Sequence, residues 1–330
     1  MKRREILGAA VAAALVAGVT AGCAEPAPPP ATDVVDPGTP APKPSPTPLP
    51  LAPLSGLPVT RAEVAARPAV AAPVWVTATT TPAGLDAADL VYQEFAESGS
   101  LHLTAVFQSR DATRIGPVTE IRPVDIRSVG VLRPVVAYTG GPTGFLSQFK
   151  DSGLTGVTPT SRKAAFSAGY TSTAALLAAA PAGGTAPTAL FQHAETGTPL
   201  AAQDVTTAAT LTITAPGHPA QTWRYDPASG MWQGRVGRAT VSAASVVVLT
   251  MPYRTLTVRK PNPRSLPGAQ VFGDGAALVV SGPATAKAKW RKPGQNAVCH
   301  VTDLSGVPIR PQPGTAWVVY APTTAKVTVT

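Results

Sequence analysis

The sequence has few of the residues from which redox and metal sites are built. Its 330 residues include two cysteines, Cys23 and Cys299, and four histidines, none of which pairs with another at a metal-ligand spacing. Cys23 is predicted below to carry a lipid, which leaves one thiol, and one thiol cannot form an intramolecular disulfide. The sequence therefore excludes a disulfide-bonded scaffold and predicts neither a metal site nor a cofactor.

Motifs that position a catalytic nucleophile are also scarce. The sequence contains no G-x-S-x-G element. Residues 147–150 read SQFK and match the S-x-x-K motif of penicillin-recognising serine enzymes, but the S-D-N and K-T-G motifs of those enzymes are absent. On a helix, Ser147 would point about 150° away from the apolar face of Phe145, Leu146 and Phe149. We therefore predict a solvated Ser147 and assign no catalytic residue.

The apolar run near the N-terminus is too short to span a bilayer. Residues 6–19 supply roughly 14 residues, whereas a membrane-spanning helix needs about 20. The run follows Lys2, Arg3 and Arg4 and precedes small residues, which is the organisation of an export signal. Small residues directly before Cys23 are typical of bacterial lipoproteins. Residues 1–22 are thus predicted to be a signal peptide, and Cys23 to be lipidated.

This signal predicts an extracytoplasmic protein anchored to the outer face of the cell membrane. Residues 3–7, RREIL, also fit a twin-arginine motif, so export by the Sec route and by the twin-arginine route both stay open. Residues 23–53 follow as a proline-rich tether, which cannot build a core and favours extended polyproline II. At about 3.1 Å per residue, the tether would hold the folded part roughly 80 to 90 Å from the lipid.

Basic residues outnumber acidic residues in this sequence. The chain has 18 acidic and 27 basic residues, and removal of the signal lowers its formal net charge from +9 to +7. A basic protein at this location meets anionic lipid headgroups and anionic wall polymers, and we predict no nucleic-acid partner. The alternative is that the positive charge only keeps the surface soluble.

Residues 54–200 are predicted to form an N-terminal α/β (or α+β) domain. Strand patterns cover residues 88–96, 101–109 and 131–138. The first two are joined by a short turn at residues 98–100. Helical patterns cover residues 143–150 and 171–180, the second with Thr171 or Ser172 as its N-cap. Strands that alternate with helices are typical of an α/β layer structure.

Residues 201–330 are predicted to form a mainly antiparallel all-β domain. Nine short strand patterns occur there, most of them separated by turn signals. Trp223 and Tyr225 alternate on one strand, and Trp232 lies on the next, so these rings are expected to pack across a hairpin. Cys299 lies within the alternating stretch 297–302, which predicts a buried and unreactive thiol.

The stretch RIGPVTEIRPVDIRSVG, residues 114–130, is the best candidate for a binding corner. Residues 115–121 are expected to form a strand, and Pro123 suits the first turn of a helix continuing to residue 131. Arg122 would then lie where the carboxyl end of a strand meets a helix N-terminus, an edge that favours anions. Arg114 and Arg127 are most simply solvated.

A second strand-to-helix junction contains Gly140 and Gly141, and glycine lets the backbone approach a ligand closely. The candidate ligand-binding residues are therefore Arg122, Gly140, Gly141, Glu97 and His102. The alternative is that Arg122 pairs with Asp125 or Glu120 and that the glycines only turn the chain.

The chain resembles the YerB-like bacterial lipoproteins, the family of domain of unknown function 3048 with an N-terminal and a C-terminal part. The matching pieces include PLSGLP (53–58), ADLVYQEFAESG (88–99), AVFQS (105–109), IGPV (115–118), Arg122, GG (140–141), YTS (170–172), FGDG (272–275), KW (289–290) and PGTAW (313–317). They cover nearly all of the chain after the tether. The resemblance implies a two-domain envelope lipoprotein whose biochemical activity is not established.

Departures from the family pattern weigh against catalysis. Where the family tends to read GPVRSAR, residues 116–122 read GPVTEIR. Only the second arginine is therefore present, as Arg122, and the acidic Glu120 lies two residues before it. The family's His before Gly-Gly is Tyr138 here, and its His-Asn before YTS is replaced by residues 167–168. A catalytic site needs its acid, base or nucleophile in place, whereas a binding module tolerates such replacements.

Three functions are compatible with these observations. The leading hypothesis is a non-enzymatic, lipid-anchored module that binds an anionic wall component or a partner protein in the envelope. The second is an enzyme that acts on a phosphate-bearing envelope substrate, with Arg122 at its site. The third is a structural spacer or scaffold without a pocket.

Overall fold

The computed structural model describes residues 48–260 and 262–330, which contain four α-helices and eighteen strands. The helices are α1 (Ala62–Ala66), α2 (Pro123–Val129), α3 (Thr143–Asp151) and α4 (Thr173–Leu177). The first strands are β1 (Val70–Val76), β2 (Leu90–Phe95), β3 (Leu101–Phe107), β4 (Val135–Ala137), β5 (Thr155–Val157), β6 (Thr206–Thr207), β7 (Thr210–Thr214), β8 (Gln221–Asp226) and β9 (Met231–Val236). The remaining strands are β10 (Ala239–Ala243), β11 (Ser245–Met251), β12 (Tyr253–Val258), β13 (Arg264–Ala269), β14 (Gly273–Ser281), β15 (Ala284–Lys292), β16 (His300–Asp303), β17 (Ala316–Pro322) and β18 (Lys326–Val329).

One mixed sheet of eleven strands runs through both parts of the chain. Its order is β16-β15-β14-β11-β17-β2-β3-β1-β4-β5, with β6 paired to β15. Strands from the two ends of the sequence meet where β17 pairs in parallel with β2, so that Ala316 lies opposite Leu90 and Tyr320 opposite Glu94. The N-terminal and C-terminal segments therefore contribute to one central sheet.

Both faces of this sheet are covered near its centre. A five-stranded antiparallel sheet, β10-β9-β8-β7-β18, packs on one face and places Trp223 against Trp317, with ring centroids 5.1 Å apart. Helices α2 and α3 and the two-stranded ribbon β12–β13 pack on the other face. Every residue of β2 and β3 is buried. Strands covered on both faces can thus hold polar side chains away from water, provided that these have partners.

Several predicted elements are confirmed. β2 and β3 form an antiparallel hairpin, α3 covers the predicted helix, and the Ser172 hydroxyl caps α4 by accepting a hydrogen bond from the backbone N–H of Ala175. The C-terminal part consists mostly of antiparallel strands, and Tyr225 pairs with Trp232 across the β8–β9 hairpin. The N-terminal part combines strands with few and short helices in a mixed sheet, so less of it is helical than the α/β interpretation implied.

Two predicted strands are corrected by the structure. Residues 115–121 form no regular strand, because this segment makes isolated bridges to three different partners, at Thr171, Ala83 and Val74. Residues 131–138 give only the short β4, since a 3-10 turn, Gly130–Leu132, continues α2 and Arg133 adopts a left-handed φ of 48°. Helix α2 accordingly ends at Val129, two residues before the predicted end.

The fold already includes the last residues of the proline-rich segment. Ala52 and Leu54 are fully buried, and the N–H groups of Ala52 and Val59 donate to backbone carbonyls at 2.9 Å. None of the helices in the described residues is long and apolar enough to cross a membrane. The predicted signal peptide, Cys23 and most of the predicted tether lie outside the described residues.

Candidate functional site

The candidate site lies where the β2–β3 hairpin meets the start of α2. We call the residues around Arg122 at this place the Arg122 corner. The hairpin turn is closed by the Ala96 N–H, which donates to the Ser100 carbonyl at 2.9 Å, and Glu97 lies at its tip. Helix α2 begins at Pro123, as predicted, because the fixed φ of proline suits the first helical position. Arg122 directly precedes this helix and therefore faces the hairpin turn.

Arg122 is held by carboxylates on both its backbone and its side chain. Its backbone N–H donates to Asp125 Oδ2 at 2.7 Å, and its guanidinium makes two hydrogen bonds to Glu97, at 2.7 and 3.0 Å. The guanidinium also lies over the Trp75 ring, 4.8 Å from its centroid, and 3.5 Å from Glu120. Only 3% of the Arg122 side chain is exposed.

The pairing shifts both ionisation equilibria toward the charged forms. Burial alone would lower the pKa of Arg122, but the hydrogen bonds and negative charge of Glu97 raise it above its ordinary value. Burial likewise favours a higher pKa for Glu97, and the hydrogen bonds and positive charge of Arg122 outweigh this, so the pKa of Glu97 is lowered. The positive charge of Arg122 is thus balanced by the carboxylate of Glu97.

His102 joins the same cluster through Asp125. Its Nε2 atom lies 2.8 and 2.9 Å from the two carboxylate oxygens, and Thr104 Oγ1 donates to Asp125 Oδ1 at 2.6 Å. The Nδ1 atom of His102 is buried and has no hydrogen-bond partner within the described residues. A histidine oriented by a carboxylate is half of a proton-transfer device, but a buried Nδ1 cannot reach a substrate in this conformation.

Gly140 and Gly141 pack against the residue before Arg122. The Ile121 N–H donates to the Gly140 carbonyl at 2.9 Å, and a Cβ atom on Gly141 would lie 3.1 Å from the Ile121 carbonyl oxygen. Both glycines have positive φ, 130° and 154°, which other residues rarely adopt. Gly141 therefore allows two chain segments to approach each other closely, whereas Gly140 is required only for its backbone conformation.

The five candidate residues do come together around residues 121–125. Arg122 contacts Glu97 directly, reaches His102 through Asp125 and lies next to the segment that contacts Gly140 and Gly141. The expected alternative partners are present as well, since Asp125 caps the Arg122 backbone and Glu120 lies near its guanidinium. Ligand binding by this corner stays a prediction, because the guanidinium already has carboxylate partners.

A second buried acid near this corner, besides Asp125, was not identified from the sequence. Glu94, on β2, is 2% exposed and accepts a hydrogen bond from the Ala269 N–H of the ribbon at 2.7 Å. Burial raises the pKa of Glu94 to about 7, although the positive charges of His102 and Arg122 oppose the shift. The available signal was a charged residue inside the mostly apolar strand LVYQEF.

An ion pair also ties the corner to the ribbon, and sequence reasoning missed it. Arg264 of β13 donates to both oxygens of Glu120, at 2.7 and 2.8 Å. Tyr253 of β12 adds a second connection, since its hydroxyl donates to the Tyr320 carbonyl at 2.7 Å and accepts from the Phe95 N–H at 3.2 Å. The ribbon therefore closes over the end of β2.

The other residues considered from the sequence lie apart from this cluster. Ser147 is exposed, as predicted. Arg114 is exposed and stacks on Tyr170 at 3.7 Å, whereas Arg127 is half-buried over Phe272, which corrects its expected solvation. Cys299 is half-buried, and burial raises the pKa of its thiol to about 11, so the thiol stays protonated at neutral pH.

The side chains of the described residues form no cluster suited to a metal ion. Within residues 48–260 and 262–330, no group of three or more His, Cys, Asp or Glu side chains is placed to hold a metal ion. The corner can form charge-assisted hydrogen bonds and hold His102 in one tautomer. These are properties that stabilise a fold or orient a bound group.

Comparison with known proteins places the two parts of the chain in one family. The family model described as Protein of unknown function (DUF3048) N-terminal domain matches residues 54–186, and that of the DUF3048 C-terminal domain matches residues 209–318. The crystal structure of YerB protein from Bacillus subtilis is similar, with a TM-score of 0.65 and 17% identity over 84% of this chain and 99% of that chain. At this identity the likeness shows the fold alone. No curated protein matches the chain.

Proposed function

The chain belongs to the protein family of unknown function DUF3048, and we propose that it is a lipid-anchored envelope protein that binds an anionic wall component outside the cytoplasm. The supporting observation is that most cations of the described residues form no salt bridge. Among the described residues, the lysines and arginines that form salt bridges are Arg61, Arg67, Arg122 and Arg264, and no others do. Many of the remaining cations, among them Lys287, Lys289 and Arg291, are exposed and can meet an anionic ligand.

In this proposal, the Arg122 corner stabilises the module and the ligand binds elsewhere. The Arg122 guanidinium is already bonded to Glu97, so it attracts a further anion only weakly. A ligand at this position would also have to displace a buried, charge-assisted hydrogen bond. The exposed cations have no such competitor.

Binding is tested with the mature chain carrying Cys23→Ser, which removes the lipid. We expect this protein to sediment with purified cell walls and to stay in solution with walls stripped of their anionic polymers. The bound fraction should fall as NaCl rises from about 50 to about 200 mM, since counterion release drives such binding. Equal sedimentation with both wall preparations would overturn the proposal.

The lipid anchor is tested separately in cells. Full-length protein with Cys23→Ala should move from the membrane fraction to the soluble fraction, because the acylated residue is lost. Cys299→Ala is the matched control, since it removes the other cysteine, and it should stay with the membrane. Retention of the Cys23→Ala protein in the membrane fraction would contradict the anchor.

A further inference from the structure

Strand β15 displays three cations in a single line. Its side chains alternate, so that Ala286, Ala288 and Trp290 are buried while Lys287, Lys289 and Arg291 are exposed. We call these three exposed residues the basic row. Alternate residues of a strand lie about 7 Å apart, so the row is about 13 Å long and one residue wide.

The strands on either side of the row neutralise little of its positive charge. The side chains opposite the row on β14 and β16 belong to Asp274, Ala276, Leu278, His300 and Thr302. Asp274, opposite Arg291, is the one acid among them, and no member of the basic row forms a salt bridge within the described residues. Ala276, opposite Lys289, is too short to cover the ammonium group. Three cations thus face one carboxylate on this part of the sheet.

The row lies where the cover of the central sheet ends. The five-stranded sheet packs on the same face nearer the middle, where Val246 and Trp317 are buried. Towards β15 the outward positions of the face become exposed. The basic row is therefore open to a macromolecule that lies along the strand.

We propose that the basic row binds a linear phosphodiester polymer of the envelope; this assignment rests on the proposed function and adds its site and ligand class. Such a polymer carries negative charges at intervals along one line, so successive phosphates can meet successive cations. Phosphate oxygens accept hydrogen bonds from both the ammonium groups of Lys287 and Lys289 and the guanidinium of Arg291. A lipid surface, by contrast, is contacted by cations spread over a broad face.

A second set of exposed cations in the same chain provides a matched control. Arg224, Arg235 and Lys326 lie on the outer face of the five-stranded sheet, on three different strands. They too are exposed and free of salt bridges within the described residues. Their removal changes the net charge by the same amount as removal of the basic row. The two sets carry the same charge and differ in their arrangement, apart from the exchange of one lysine for an arginine.

The test compares three forms of the mature chain, each with Cys23→Ser. One keeps all cations, one carries Lys287→Gln, Lys289→Gln and Arg291→Gln, and the control carries Arg224→Gln, Arg235→Gln and Lys326→Gln. Binding to synthetic poly(glycerol phosphate) is measured by titration calorimetry at about 50 and about 200 mM NaCl, and matching thermal unfolding curves verify folding. Phosphatidylglycerol vesicles form a parallel arm.

We expect the basic-row variant to bind the polymer about ten-fold more weakly or worse, and the control variant to stay within about threefold of the parent. Three phosphate contacts give a logarithmic salt slope of about −2, so the parent should lose about 20-fold in affinity between the two salt concentrations. The basic-row variant should lose most of this salt dependence, because its phosphate contacts are gone.

Four results would overturn the assignment. Equal losses in the two variants would mean that net charge binds the polymer, and unchanged affinity in the basic-row variant would mean that these residues only protect a strand near the sheet edge. Tighter binding to the vesicles than to the polymer would identify a lipid surface. A parent that binds native walls but not the polymer refutes this inference alone, whereas one that binds neither refutes the proposed function as well.

Discussion

The Arg122 corner and the basic row use the same kind of side chain in opposite ways. Arg122 is 3% exposed and bonded to Glu97, and its neighbours Glu120 and Asp125 add further negative charge. Arg291 is exposed, has Asp274 opposite it and forms no salt bridge within the described residues. An arginine surrounded by carboxylates holds chain segments together, while one left unpaired at the surface can meet a ligand.

A position directly before a helix does not by itself make an arginine an anion site. The helix after Arg122 starts as expected, with Pro123 at the first helical position, although the segment before it is not a strand. The Asp125 carboxylate accepts the hydrogen bond from the Arg122 N–H, so this donor is not left for an anion.

Removal of the Arg122 side chain should produce the largest effect. Arg122→Ala leaves Glu97 and Glu120 without their shared cation in a partly buried place, so we expect the free energy of unfolding to fall by about 3 kcal/mol. Urea denaturation at neutral pH measures this loss. Arg291→Ala is the matched control from the basic row, and it should change stability by no more than about 0.5 kcal/mol.

A small loss of stability in Arg122→Ala would contradict the role of the corner in holding chain segments together. If Arg122→Ala costs less than about 1 kcal/mol, the corner does not stabilise the fold, and ligand binding at Arg122 becomes the better interpretation. A loss at Arg291 as large as that at Arg122 would instead show that the basic row has internal partners.

Glu94 should make stability depend on pH at the corner. Burial raises its pKa from 4.5 to about 7, so the folded state holds this proton more tightly than the unfolded state does. Its contribution is complete below about pH 4.5 and is lost as pH rises to about 7, by roughly 3 kcal/mol in total. Relative to Glu94→Gln, the wild-type protein should therefore become progressively less stable over this range.

The measurement is the free energy of unfolding of both proteins at several pH values between about 4 and 8. Because the two proteins differ only at residue 94, the difference between their curves reports the Glu94 carboxyl together with its interactions with His102 and Asp125. Parallel curves would show that the carboxyl of Glu94 has an ordinary pKa, and hence that water reaches it under the ribbon.

The local features of this fold could be predicted from the sequence. The alternation of residues 101–107 and the turn at residues 98–100 specify the β2–β3 hairpin, because side-chain alternation and turn chemistry act over a few residues. Pro123 marked the start of α2, and Thr171 or Ser172 that of α4, where the structure has Ser172 as the N-cap. Such signals are local, so one sequence suffices to find them.

The partners of Arg122 and the connection between the two parts of the chain could not be predicted in this way. Sequence proximity favoured Glu120 and Asp125, whereas the two shortest guanidinium contacts are to Glu97, 25 residues away. The pairing of β2 with β17 joins residues more than 200 positions apart. Both depend on the packing of distant segments, which hydrophobic periodicity does not specify. The departure of residues 115–121 from a strand has the same origin.

The smallest expected effect lies between the corner and the ribbon. Glu120 and Arg264 form an ion pair at 2.7 Å with side-chain exposures of 24% and 32%, so solvent weakens it, and we expect a coupling energy of about 0.5 to 1 kcal/mol. A double-mutant cycle with Glu120→Gln and Arg264→Gln measures it and separates it from the contact of Glu120 with Arg122. A coupling near zero would mean that the ribbon is held by its buried contacts, which are those of Glu94 and Tyr253 and the packing of Val258 and Leu266. The Glu120–Arg264 pair would then behave like the exposed charges of the basic row, whereas Arg122 would remain a buried, paired cation.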